Sequence, residues 1–252
     1  ELLKLGYIVF CASWFSGMTK HLQSFWYGTM PFIGFLAIVG GVLLAQPDTD
    51  TFLLIAAAGM AMYIAAGGRW RDIAIMAIGA ILLLAILAVM RPYILDRFTT
   101  FLDPSSDPLG SGYQIQQSLI AVGSGGWFGR GFGQSIQKFQ YLPEPIGDSI
   151  FAVYAEEFGF VGSVVLIALF TLFTFRGYKI ATRAPDMFGM LLVVGIITLI
   201  ATQAFLNIAA MLSVAPVMGL PLPFISHGGT ALLVTLAAVG LVLNVSKYQR
   251  PH

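Results

Sequence analysis

Long uninterrupted apolar runs, separated by short polar connections, organise this chain from end to end. Crossing about 30 Å of hydrocarbon takes about 20 helical residues, and by that measure roughly seven runs qualify. They cover residues 2–15, 27–45, 51–66, 73–90, 150–175, 187–212 and 230–245. Lipid offers the backbone no hydrogen-bond partner, so the runs are predicted as helices rather than strands. The expected architecture is all-α: a polytopic transmembrane helix bundle forming a single domain over residues 1–252. The first run opens at Glu1, without a methionine or a cleavable leader, and the natural N-terminus is expected to lie further upstream.

Composition agrees with the pattern. The chain is 58% hydrophobic and only 10% charged, against roughly 25% charged in soluble domains. The 28 glycines suit helices that pack closely through small side chains. A formal net charge of +1 speaks against a nucleic-acid partner, which calls for a basic stripe. Cys11 stands alone and cannot form an internal disulfide.

Basic residues set the expected orientation. Lys20 and His21, then Arg69 and Arg71, then Arg176, Lys179 and Arg183, then Lys247 and Arg250 fall in one set of connections. The alternate short connection carries Asp48 and Asp50. This places the C-terminus in the cytoplasm and the Glu1 end of the first helix outside.

One connection is not short. Residues 91–149 separate the fourth and fifth runs, and segments of that length are usually functional or disordered. Trp127, Phe128, Phe132, Phe139 and Tyr141 among the glycines argue for an ordered extracytoplasmic loop. Residues 91–101 alternate basic and aromatic positions, as an interfacial helix does, and residues 114–122 form a second amphipathic candidate.

Ionisable groups in a bilayer cost several kcal/mol and are functional candidates by default. Glu1 and Lys4 are close enough to pair. Asp148 stands just ahead of the fifth run, where it can cap the helix or present a carboxylate at the membrane boundary. Glu156 and Glu157 follow about two turns deeper, and one of them is expected to face a polar cavity. Gln203 and Asn207 share a helix face and suit interhelical hydrogen bonding. Residues 219–229, broken by Pro221 and Pro223, read as a re-entrant or broken segment. There is no Walker loop, Rossmann fingerprint or His/Cys metal spacing.

The residues then become specific. Phe101-Leu-Asp-Pro104, Asp107-Pro-Leu-Gly-Ser-Gly-Tyr113, Gln117-Ser118, Gly123-Ser-Gly-Gly126, Tyr141-Leu-Pro-Glu144, Asp148-Ser-Ile-Phe-Ala-Val153 and Glu156-Glu-Phe-Gly-Phe160 occur in that order. With Glu1-Leu-Leu-Lys4 and Gly219-Leu-Pro-Leu-Pro-Phe-Ile-Ser-His-Gly-Gly229, the chain resembles the SEDS family of bacterial shape, elongation, division and sporulation proteins. The segment 135–141 is more similar to the division subfamily, FtsW, than to the elongation subfamily, RodA. Gly147, Ser149 and His227 stand where the family commonly has Thr, Phe and Tyr.

The resemblance implies the last seven spans of a ten-span fold in the bacterial cytoplasmic membrane. It implies a peptidoglycan glycosyltransferase that polymerises lipid II at the outer face. The usual partner is a class B penicillin-binding protein, alongside other divisome or elongasome membrane proteins. Asp148 matches the family's essential aspartate, and Glu1 and Lys4 match its Glu–Lys pair. Asp148 is expected to act as general base in an inverting displacement of undecaprenyl pyrophosphate. Glu1, Lys4, Arg97, Gln117, Glu144, Glu156 and Ser226 are the expected substrate-binding residues. Lys4, Arg97 or a divalent cation (Mg or Mn) would neutralise the leaving group. Two other functions fit a polar-cored bundle with a broken helix: a lipid II flippase and a non-catalytic divisome scaffold.

Overall fold

Each apolar run forms a helix. The computed structural model describes residues 1–18, 22, 24–90, 92–107 and 110–249. Lys20, His21, Arg91 and Arg250 of the charge pattern, and Pro108 and Leu109 of the loop motif, lie outside the described residues. Helix α1 covers Leu2–Gly17. A π-helical turn, Phe25–Thr29, leads into α2, Met30–Ala45. Then come α3 (Thr49–Ala65), α4 (Trp70–Met90), α5 (Pro92–Leu102) and α6 (Ser111–Ser124). The single turn α7 (Gln137–Gln140) precedes α8 (Ile150–Ala181), α9 (Met187–Met211) and α10 (Gly229–Lys247). No strand occurs among the described residues.

Five of these helices are long and apolar enough to cross a membrane: Phe25–Ala45, Trp70–Val89, α8, α9 and α10. The first and third predicted runs are apolar helices of only 16 and 17 residues, about a turn short of a full crossing. Local chemistry sets several ends. Asp48 Oδ1 accepts from the Thr51 amide at 3.0 Å, and Asp186 Oδ1 from the Gly189 amide at 2.8 Å, each satisfying a donor the helix leaves free. Asp107 accepts from the amides of Gly110 and Ser111 at the head of α6.

The chain divides into two compact units. The first comprises residues 1–82, 173–202 and 230–252. Its core joins Ile8, Cys11, Phe15, Phe32, Met62, Tyr63, Ile196 and Ile197. Gly195 is a close approach there, since a Cβ would meet Ile8 and the Met62 sulfur. Asp72, fully buried, accepts from Thr29 Oγ1 at 2.7 Å and from the Tyr63 hydroxyl at 3.5 Å, with Arg71 Nε at 3.5 Å. These bonds tie the starts of α2 and α4 to the end of α3.

The second unit comprises residues 83–172 and 203–229. Phe151, Leu166, Phe170, Ala204, Ile208 and Met211 form its main core. Both predicted amphipathic segments of the loop are helices, α5 and α6, and α5 separates its apolar and polar faces more sharply than any other described helix. α5 packs on α6 and on the 3₁₀ turn Pro104–Ser106.

Candidate active site

The fifth run, read from sequence as one continuous span, is two helices. Gly159 has φ 69° and ψ −165° inside α8, a conformation essentially confined to glycine, so the helix breaks between residues 150–158 and 160–181. At about 1.5 Å per residue the second half alone crosses the hydrocarbon.

A break leaves carbonyls of the first half and amides of the second without partners. The loop supplies them. Arg130 N donates to Glu156 O at 3.0 Å and Gly131 N to Glu157 O at 3.0 Å. In return Phe160 N donates to Gly126 O at 2.8 Å and Val161 N to Trp127 O at 3.1 Å. Glycine at 129 and 159 allows the two backbones to touch, because a Cβ on either would overlap the other segment.

The two glutamates lock the same junction. Glu156, 1% exposed, accepts from Ser135 Oγ at 2.6 Å, from the amides of Ile136 and Gln137 at 3.2 Å each, and lies 3.4 Å from Arg130 Nε. Glu157 pairs with Lys138 Nζ at 2.7 Å and accepts from Ser135 N at 3.4 Å. The expectation of a glutamate facing a polar cavity is therefore corrected. Burying these charges is tolerable only because they are paired and hydrogen-bonded, and the loop provides those partners.

Asp148 stands at the head of the short first half, in the turn after Tyr141-Leu-Pro-Glu144. That turn is built on Glu144, whose φ is 44° and whose carbonyl accepts from Gly147 N at 3.0 Å and Ser149 N at 3.3 Å. Ser149, buried, donates to Pro143 O at 2.8 Å and accepts from Gln114 Nε2 at 2.9 Å. The next carbonyls are held from the proline-broken segment and α9. His227 N donates to Ile146 O at 2.8 Å, Ser226 Oγ to Gly147 O at 2.6 Å, and Asn207 Nδ2 to Asp148 O at 2.6 Å.

The Asp148 carboxyl itself is half-buried, and its Oδ1 is buried without a hydrogen-bond partner. Burial raises its pKa above the ordinary carboxylate value, because low-dielectric surroundings disfavour charge. The Glu144 charge adds to the rise, while Gln114 and the amides of residues 148 and 149 oppose it. The result is a carboxylate with an uncommitted oxygen and an enhanced affinity for a proton.

The other sequence candidates separate. Glu1 and Lys4 pair at 2.7 Å, with Lys4 buried, but they belong to the first unit. Arg97 lies over the Tyr93 ring on α5, 5.9 Å from its centroid. Gln117 is half-buried on α6, one turn beyond Gln114. Glu144 is exposed beside Asp148. The Ser226 hydroxyl is occupied by backbone, donating to Gly147 and accepting from Leu222 N at 2.7 Å. Sequence reasoning missed Gln114 and Ser149 as neighbours of the aspartate and treated Asn207 as an ordinary helix contact. The one available signal for Gln114 was its place on the polar face of an amphipathic loop helix.

A family model described as cell cycle protein, covering FtsW, RodA and SpoVE, matches residues 1–251. The chain belongs to this family. Stage V sporulation protein E of Bacillus subtilis (strain 168) is 42% identical over 99% of this chain and 68% of the relative. A probable peptidoglycan glycosyltransferase FtsW of Geobacter sp. (strain M18) is 39% identical over 99% and 68%. Another FtsW of that description, from Thioalkalivibrio sp. (strain K90mix), is 42% identical over 97% and 62%. The chain thus spans about two thirds of the length of these relatives. Among solved structures, a chain from a peptidoglycan synthase complex aligns with a TM-score of 0.79 at 29% identity, over 98% of this chain and 69% of that one. The rod shape determining protein RodA of Thermus thermophilus aligns at 0.65 and 25% identity, over 99% and 65%. The resemblance read from the motifs is confirmed: this is an FtsW-like member of the SEDS family, all-helical and built of membrane-spanning helices.

Proposed function

We propose that this chain carries the polymerising centre of a peptidoglycan glycosyltransferase acting on lipid II, with Asp148 as general base. The observation that carries the reading is the Asp148 carboxyl, whose unpartnered Oδ1 sits on a backbone held at three consecutive carbonyls. The relatives named as peptidoglycan glycosyltransferases supply the reaction class.

In the reaction, a sugar hydroxyl of one lipid-linked chain attacks the anomeric carbon of a pyrophosphate-linked donor. The new C–O bond forms as the bond from the anomeric carbon to the pyrophosphate oxygen breaks. The hydroxyl proton passes to Asp148, and undecaprenyl pyrophosphate departs with the bonding pair. A single displacement inverts the α-linked donor to a β-linked glycan. A raised pKa suits a base, since efficient proton acceptors titrate near the working pH. Arg97, on the helix that packs against the one carrying Gln114, is a cation assigned to the growing pyrophosphate charge.

Among the described residues no group of three or more His, Cys, Asp or Glu side chains is placed to hold a metal ion. The reading places the loop and Asp148 at the outer face of the bacterial cytoplasmic membrane, the C-terminus inside, and a class B penicillin-binding protein beside it to crosslink the product.

The test is polymerisation of labelled lipid II by the full-length protein in liposomes, with the partner's transpeptidase blocked. Glycan ladders that disappear in Asp148→Asn, while insertion and folding persist, support the reading. Ladders of undiminished yield in that variant would sink the base assignment. Labelled lipid crossing the bilayer with no ladders at all would make the protein a transporter instead.

A further inference from the structure

Asn207 lies on α9, fully buried, and spends both hydrogens of its amide on backbone carbonyls: Asp148 O at 2.6 Å and Leu220 O at 2.7 Å. One turn earlier, Gln203 Nε2 donates to Pro221 O at 2.8 Å. The pair therefore does more than join two helices. Pro221 and Pro223 break the helix; the amides of Ile225 and Ser226 meet Leu222 O within the segment, while the carbonyls of Leu220 and Pro221 take the two side-chain amides of α9. The segment then reaches the catalytic turn through Ser226 and the His227 amide.

We propose that Asn207 is a positioning residue for the catalytic base, fixing Asp148 through its carbonyl while docking the proline-broken segment whose Ser226 fixes the preceding residue. The inference rests on the reading of Asp148 as base. A side chain aimed at a reacting hydroxyl must be held by something, and the carboxyl of Asp148 is not anchored through Oδ1. Gln114 and the amides of residues 148 and 149 steady the carboxyl, and the main chain beneath it is pinned at residues 146, 147 and 148, each by a different donor. Asn207 is the donor shared between that turn and the segment that pins the rest. Its own Oδ1 is buried without a partner, so its side chain acts on this turn and segment only through the amide hydrogens. Ser226, expected to touch substrate, takes the same positioning role here, because both sides of its hydroxyl are engaged by backbone.

The consequence is kinetic. Releasing the Asp148 carbonyl lets the carboxyl wander and admits water. A misplacement on the order of 1 Å costs about a hundredfold in rate, while substrate held elsewhere binds as before. Asn207→Ala and Ser226→Ala are compared with wild type and Asp148→Asn in the full-length protein, measuring initial rates against lipid II concentration across pH. Thermal unfolding in detergent is followed in parallel. For Asn207→Ala the expected result is a kcat about a hundredfold lower with KM little changed. The acid limb of the kcat profile should also move to lower pH as Asp148 becomes solvated. The charged neighbour of Asp148 is Glu144 on its own turn; His227 is the titratable group on the docked segment. Both are intact in these variants, so the displaced limb belongs to the base. Ser226→Ala should move both readouts the same way by less, and it carries the test if Asn207→Ala does not fold. Unchanged kcat and an unmoved limb in a folded variant, in a background where Asp148→Asn is dead, would overturn the proposal. Full activity in Asp148→Asn would instead overturn the base itself.

Discussion

Replacing Glu156 should open the loop without unfolding the protein. Its carboxylate takes three hydrogen bonds, from Ser135 Oγ and the amides of Ile136 and Gln137, and sits 3.4 Å from Arg130 Nε. Hydrogen bonds to a charged group contribute roughly 1.5–3 kcal/mol each, but groups sharing one acceptor do not add. Arg130 is partly exposed and can turn to water once released, so its share is small. Glu156→Ala is therefore expected to cost about 3–4 kcal/mol, most of it the two amides and the hydroxyl left without an acceptor. Four main-chain bonds still join residues 126–131 to the break in α8, so the loss falls on residues 132–138. The assay is limited trypsin digestion in detergent at Lys138, in the segment that Glu156 and Glu157 clasp. When opening is fast relative to cleavage, the rate follows the open population. With about 1.4 kcal/mol per factor of ten, cleavage at Lys138 should accelerate by two to three orders of magnitude. Cutting at Arg183, beyond the clasp, should change little. Equal cleavage of variant and wild type at Lys138 would show that the carboxylate does not hold the loop.

Three more outcomes follow from the same geometry. Because burial raises the Asp148 pKa, polymerisation should fall as pH drops through a value above the ordinary carboxylate range, whereas a limb near pH 4 would contradict the buried setting. The sign for stability is opposite: a folded pKa above the unfolded one favours the protonated fold, so this contribution is full below the unfolded pKa and is lost as pH rises through the folded one. Asp148→Asn should then unfold at a higher temperature than wild type at neutral pH, and a lower one would refute the penalty. Gly159→Ala demands a conformation that costs about 1–3 kcal/mol outside glycine and a clash with Phe128 and Gly129, so its midpoint in a thermal melt should drop by several degrees; an unchanged melt would mean the break relaxes freely.

What the chain shows without its fold is the part governed by solvent. Uninterrupted apolar runs must be helices in lipid, whatever lies beside them, and all seven are helices. Asp148 was equally visible, because a carboxylate at the edge of an apolar run stands out against its surroundings. The break at Gly159 was not. Phe158-Gly-Phe160 inside an apolar stretch looks like continuing helix, and only Gly125, Gly129 and the carbonyls of Glu156 and Glu157 meeting in space give the chain reason to stop and restart. The same holds for the glutamates. Their sequence position says that they need partners, but the partners are Ser135, Arg130 and Lys138, about twenty residues away on a loop whose path no periodicity encodes. Asn207 and Ser226 illustrate the rest: a polar side chain advertises a hydrogen bond, and tertiary structure alone decides that the acceptors are the carbonyls of Asp148 and Gly147.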